Sequence, residues 1–237
     1  SGAKNIELKI LTDEGCETSL GQSIVITKPE ITSIIKTNMC SNESQKLYAT
    51  YSLGLDSFIS NSWRIDGIMM STSDTLSYVP SSAGIKYVEL TSSTKNNCTV
   101  VFLDSFEVYA SPSTNFFVVS VCKDQDLLPT NNSTIDIPEI ITSNKWYLNN
   151  VLVSSDPSPT ITTTVDGSNT LRLVTESSNG CLDSITKSFG IHPLPQVDFL
   201  IGATCFGEST VFNDNSTINS GTNNTYSWEI EATILQV

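Results

Sequence analysis

Cysteine is the residue type whose spacing carries the most chemistry in this chain. Six are present, and the pairs Cys16 and Cys40, Cys98 and Cys122, and Cys181 and Cys205 are each set 24 residues apart. In an oxidising compartment, thiols placed this regularly form disulfides. They lack the short Cys-x-x-Cys spacing that zinc and redox sites require. The single histidine, His192, stands in "GIHPLP" among prolines, where neither a Ser-His-Asp nor a Cys-His arrangement finds its nucleophile. Asp124 and Asp126, two apart in "CKDQD", have the spacing of part of a calcium loop. No glycine or distant glutamate completes it, so an exposed acidic turn is the preferred reading. The remaining acids are scattered and form no recurring pair of the kind that hydrolyses glycosides. The expectation is a chain with no catalytic residue, no metal site and no cofactor.

The elements that position these cysteines belong to an internal repeat of 82 or 83 residues. Cys16, Cys98 and Cys181 recur at that interval, as do Cys40, Cys122 and Cys205, and Trp63, Trp146 and Trp228 keep step with them. Ten and eight residues before the late cysteines stand Ile6 and Leu8, Val88 and Leu90, and Leu171 and Leu173. Apolar residues two apart around a polar one mark a strand with one face in a core. A turn follows each time ("TDEG", "STKNN", "SSNG"), then a second strand-like stretch ending at Pro29, Pro112 or Pro195. Each repeat therefore closes on a β-hairpin with a cysteine just past its turn. The tryptophans, in "SWRIDGIMM", "KWYLNNVLV" and "SWEIEATIL", each lie in a strand entering a turn, with turn-prone Asp-Gly or Asn-Asn in the first two, and all three are expected at the centre of a small core. Residues 30–112 and 113–195 are then whole repeats. Residues 1–29 are the last hairpin of a preceding repeat and 196–237 the first part of a following one. Neither end is expected to bury a core alone.

Composition narrows the class further. Apolar residues are 38% and charged residues 16% of the 237, with Ser, Thr and Asn making up the difference. That balance favours β-rich extracellular modules over long helices. The net charge of −13 leaves no basic cluster to displace phosphate counterions, which excludes nucleic acid as a partner and disfavours anionic membranes. No stretch approaches the roughly 20 apolar residues of a membrane span, so no membrane insertion is expected. The chain opens on "SGAKNIELKI" without an initiator methionine and is read as a piece of something longer.

The ordered landmarks are an early Cys, a Trp strand ("WRIDG"), a "GxxYVxL" strand from Gly84 to Leu90, then Cys and a proline-ended last strand. Together they resemble the PKD-like and Ig-like tandem repeats of large surface proteins of gliding Bacteroidetes, which are substrates of type IX secretion. The family's Trp-Asp-Phe-Gly-Asp-Gly signature is reduced here to "WRIDG" and "WYLNN". The resemblance implies an all-β chain of antiparallel β-sandwich modules arranged end to end, located at the cell surface, outside the cell. It implies a non-catalytic structural stalk of a secreted adhesin involved in adhesion or gliding motility. Its partners would be neighbouring repeats of the same long chain, cell-surface or secretion-system proteins, and external glycans. The alternative is a set of polysaccharide-binding accessory modules of a secreted carbohydrate-active enzyme. The resemblance also implies O-glycosylation of Asp-Ser/Thr tripeptides, which fall at Thr75 and Ser184.

Given the Ig-like topology that the resemblance implies, the disulfide candidates can be ordered. Cys40 falls near the turn between the first two strands, at the bottom of its sandwich, and Cys98 just past the last turn, at the top. Strand length keeps those ends further apart than the ~7 Å between Cα atoms that a disulfide tolerates. The favoured pair is therefore Cys40 with Cys181, joining the bottom of one repeat to the top of the next. Cys40 with Cys98 and Cys122 with Cys181, within single repeats, stay open as the alternative. Cys16, Cys98, Cys122 and Cys205 are expected to find partners in flanking repeats or to stay free.

Overall fold

The computed structural model describes residues 2–26, 28–36, 39–52 and 57–229. All of its regular elements are strands, with no helix among the described residues. The chain divides into two compact units. The first runs to Ser111 and takes in Ile135–Ile140 and Ser177–Cys181; the second holds Pro112–Thr134, Ile141–Glu176 and the chain from Leu182 onward.

The first unit opens with β1 (Gly2–Leu11) and β2 (Glu17–Ile26), a hairpin paired antiparallel along its full length. It continues with β3 (Glu30–Ile35), β4 (Met39–Cys40), β5 (Gln45–Ser52), β6 (Phe58–Ile65), β7 (Ile68–Ser71), β8 (Thr75–Tyr78), β9 (Gly84–Thr94) and β10 (Thr99–Tyr109). One sheet has the order β4-β10-β9-β6-β7 and the other β3-β5-β8. Alternation along the strands supplies the core between them. Ile31, Ile34, Leu47 and Leu76 from the three-stranded sheet meet Trp63, Ile65, Val88, Leu90, Phe106 and Val108 from the five-stranded one. The first strand of the repeat is split, β3 serving one sheet and β4 the other. Because β4 enters the second sheet running alongside β10, Val108↔Met39 and Tyr109↔Cys40 pair in parallel. This parallel pair is a departure from the purely antiparallel expectation.

The second unit contains β11 (Phe116–Phe117), β12 (Val121–Cys122), β13 (Asp126–Leu127), β14 (Thr130–Asn131), β15 (Ile141–Leu148), β16 (Val151–Ser154), β17 (Ile161–Thr162), β18 (Gly167–Ser177), β19 (Leu182–His192), β20 (Phe199–Ile201) and β21 (Phe212–Asp214). Its main sheet, β12-β19-β18-β15-β16, reproduces β4-β10-β9-β6-β7 strand for strand, including the parallel pairing of β12 with β19. Opposite lie only short pairs, β11 with β14 and β13 with β17. Phe116, Leu127, Trp146, Ile161, Leu171, Leu173, Phe189 and Ile191 fill the core. Leu171, Leu173, Phe189 and Ile191 stand where Val88, Leu90, Phe106 and Val108 stand in the first unit.

The Trp motifs act in the same way in both units. Each indole is fully buried and donates its Nε1–H to a backbone carbonyl, Trp63 to Ser73 and Trp146 to Asp156, both at 2.9 Å. A buried indole would otherwise leave an unpaired donor. The turn residues after each tryptophan have positive φ, 51° and 80° at Asp66 and Gly67 and 48° and 69° at Asn149 and Asn150. That is the two-residue hairpin geometry matched to strand twist, and it selects Asp, Asn and Gly.

Two features differ from a uniform repeat. In β1, Ile6 and Leu8 are 54% and 62% exposed, whereas their counterparts Val88 and Leu90 are 1% and 0% exposed. Trp228, expected in a core, is 48% exposed, and its ring packs on those of Phe199 and Phe212. The cause is the same in both places: among the described residues, each segment forms a two-stranded ladder with no second sheet facing it. The rest of the third Trp motif, from residue 230, and the end of the 196–237 segment lie outside the described residues.

Candidate functional site

The chemistry of this chain is concentrated where two turns meet inside the first unit. Cys40 ends β4, and its carbonyl accepts from the Glu43 N–H at 3.4 Å, closing a turn through Asn42 at φ 64°. Cys181 follows the β18–β19 turn. The hydroxyl of Ser177 accepts from the Cys181 N–H at 3.1 Å, and the Ser177 N–H donates to the Cys181 carbonyl at 2.8 Å. This reciprocal pair fixes the cysteine's direction. Cys40 and Cys181 are joined in a disulfide, 141 residues apart in sequence, with Cα atoms 5.6 Å apart. The within-repeat alternatives, Cys40–Cys98 and Cys122–Cys181, are therefore set aside.

Hydrogen bonds surround the cross-link. The Ser111 N–H donates to the Ser41 hydroxyl at 2.9 Å, and the Ser111 hydroxyl returns to the Ser41 carbonyl at 2.6 Å. The Ala110 N–H donates to Glu139 Oε1 at 3.1 Å, and the Ser178 N–H to the Ile140 carbonyl at 2.9 Å. These bonds hold Ile135–Ile140 and Ser177–Cys181 in the first unit. Both cysteines are buried, Cys181 completely, which keeps attacking thiolates from the bond. The arrangement can carry load and resist reduction. Ser41, Ser111 and Glu139 drew no attention in the sequence, because each bonds a residue distant in the chain. The hydroxyl residue four before each late cysteine (Thr12, Thr94, Ser177) was missed as well, although its constant spacing is a signal that could have found it.

The remaining cysteines are unbridged in this structure, with Cys16, Cys98 and Cys205 exposed and Cys122 half-buried. His192 is not surrounded only by linker prolines. The parallel register makes it the cross-strand neighbour of Cys122, as Tyr109 is of Cys40. Asp124 sits in a turn with φ 65°, donating its N–H to the Thr163 carbonyl. No group of three or more metal-ligating side chains occurs among the described residues, and no helix is long and apolar enough to cross a membrane. Thr75 and Ser184 are exposed on strands, each beside an engaged carboxylate. Asp74 accepts from Asn61 Nδ2 at 3.0 Å and Asp183 from the Thr114 N–H at 2.8 Å.

In the second unit, Phe199, Tyr226 and Trp228 line a cavity of about 660 Å³ together with Asp198, Asp214 and His192. The Ser216 hydroxyl and backbone N–H hold the Asp214 carboxyl below its ordinary range. This feature was not foreseen, because it needs the third Trp position to be uncovered.

No family model and no curated protein matches the chain. Several solved structures do. The fibronectin(III)-like modules of Clostridium thermocellum CbhA align over 70% of this chain and 95% of theirs, at 10% identity and a TM-score of 0.34. The C-terminal 282-residue fragment of intimin, in complex with the intimin-binding domain of its translocated receptor, aligns over 72% of this chain and 66% of its own. Its identity is 11% and its TM-score 0.42. The N-terminal eight Ig domains of Down Syndrome Cell Adhesion Molecule align over 84% of this chain and 32% of theirs, at 13% identity and 0.44. These scores are low, and the assignment of the fold rests on strand order and register. On that ground the chain is an all-β protein with an Ig-like sandwich in each unit.

Proposed function

We propose that this chain is part of the non-catalytic stalk of a large secreted cell-surface adhesin, serving adhesion or gliding motility. In this reading its nearest partners are further repeats of the same long chain, beyond them cell-surface or secretion-system proteins, and the repeats divide as 1–29, 30–112, 113–195 and 196–237. The observation that carries the reading is the Cys40–Cys181 bond. Tension entering before Cys40 and leaving after Cys181 crosses one covalent bond and bypasses β5 to β18, with both buried tryptophans. A stalk benefits from that shunt, because cores off the load path are not pulled open. The uncovered apolar face of β1–β2 supports the presence of further repeats. Exposure of Thr75 and Ser184 makes O-glycan attachment there part of the same proposal, and intact mass of the native protein tests it.

Single-molecule pulling of the chain from its two ends tests the stalk. Oxidised protein should extend roughly 500 Å less than the Cys40→Ser/Cys181→Ser variant, the contour of the 141 bypassed residues. Equal extension at equal force would sink the reading. The cavity beside Trp228 favours a second one, polysaccharide-binding accessory modules of a secreted carbohydrate-active enzyme, since exposed aromatic faces next to carboxylates suit sugar rings. Glycan binding that is lost on Trp228→Ala would select it.

A further inference from the structure

The cysteines fall into two local environments, each built three times. At the end of a first strand, or four residues past it for Cys205, the carbonyls of Cys40, Cys122 and Cys205 each accept from the N–H three residues on, at 3.4, 3.1 and 3.1 Å. The intervening residues Asn42, Asp124 and Gly207 have φ of 64°, 65° and 87°. Both Cys40 and Cys122 lie on the parallel ladder. The next N–H, of Ser41 or Lys123, donates to the carbonyl of Tyr109 or His192 at 2.9 and 2.8 Å. Past a hairpin turn, the Cys16, Cys98 and Cys181 N–H groups donate to Thr12, Thr94 and Ser177 hydroxyls at 3.1, 3.2 and 3.1 Å. Those same residues return their own N–H to the cysteine carbonyl at 2.9, 2.9 and 2.8 Å. One member of each class is bonded, and the pairing has a direction: a strand-end cysteine takes a turn cysteine 141 residues later.

We propose that Cys122 and Cys205 are bonded by turn cysteines of later repeats of this sequence type, and Cys98 and Cys16 by strand-end cysteines of earlier ones. The 24-residue intervals are then straps that carry tension from one disulfide to the next. This inference rests on the reading of the chain as part of a longer array. It adds which thiols are joined and where force travels. Two interleaved covalent threads result. One runs Cys16–Cys40, across the disulfide, then Cys181–Cys205; the other contains Cys98–Cys122. The body of each repeat, from strand-end cysteine to turn cysteine, holds the core and hangs outside both threads. The constant spacing is explained, because a strap of varying length would load its neighbours unequally. Each closure converts two thiols to a disulfide, and the two electrons and two protons pass to an oxidising disulfide that becomes two thiols.

The test is a disulfide map of the native full-length protein, alkylated before unfolding and digested without reductant. Expected are no alkylation at Cys16, Cys98, Cys122 or Cys205 and a peptide joining Cys122 to the turn cysteine one repeat further on. Quantitative alkylation of Cys98 and Cys122, or a bond from Cys122 to any other class of cysteine, overturns the proposal. The pulling experiment concerns only Cys40–Cys181, so the stalk reading can hold while this one fails.

Discussion

Burial raises the Tyr51 phenol above its ordinary range, and the nearby Asp74 carboxylate pushes the same way against a hydrogen bond with Ser92. Tyr78 is raised as well, by burial first and then by Asp66. Both groups favour the neutral form in the folded state. Their contribution is fully present below the unfolded value of about 10 and is lost as pH rises through the higher folded values. Urea midpoints should therefore fall above about pH 10 and fall less steeply in Tyr51→Phe; identical alkaline slopes in the two proteins would refute the assignment. The tryptophans give a contrast at the same scale. Trp63→Ala removes a fully buried ring and its bond to Ser73, and should cost about 3–5 kcal/mol in denaturant unfolding. Trp228→Ala, at a half-exposed ring, should cost under about 1 kcal/mol.

Among the elements, the hairpin after each tryptophan is pinned by its first turn residue. Asp66 Oδ1 accepts from the Tyr87 N–H and Asn149 Oδ1 from the Thr170 N–H, both at 2.9 Å, tying the turn to the next strand of the sheet. Asn149→Ala loses that bond and puts at φ 48° a residue that tolerates the left-handed region less well than Asn. A loss of about 1–3 kcal/mol is expected, read from Trp146 fluorescence during unfolding. Asn149→Asp, which keeps the acceptor, should recover most of it. These hairpins were legible from "WRIDG" and "WYLNN", because turn chemistry and alternation are local. The two-residue strands β4 and β12 were not. A pair of residues carries no periodicity, and their parallel partners lie some 70 residues away.

For the whole molecule, the cross-link stands on a par with the largest buried side chain. In the chain-entropy description, closing a 141-residue loop restricts the unfolded chain enough to contribute about 3–5 kcal/mol. Cys40→Ser/Cys181→Ser should lower stability by that amount in urea, and reduction of the wild-type chain should match it. A change under about 1 kcal/mol would mean that the bond holds position and adds little stability. The sequence by itself determined the all-β class, the 82- or 83-residue repeat, the closing hairpins and the burial of Trp63 and Trp146. All of these follow from periodicity and turn residues that neighbours along the chain can satisfy. The ordering of the cysteine pairs needed in addition the Ig-like topology that the resemblance implies, in which strand length separates the two ends of a sandwich. Only the tertiary structure decided the shell of Ser41, Ser111 and Glu139 around the disulfide and the placing of His192 beside Cys122. It also set how far Ile6, Leu8 and Trp228 stand exposed, in end segments not expected to bury a core alone. Each of these depends on which distant backbone comes to lie opposite a side chain, and a residue's type and spacing do not encode that.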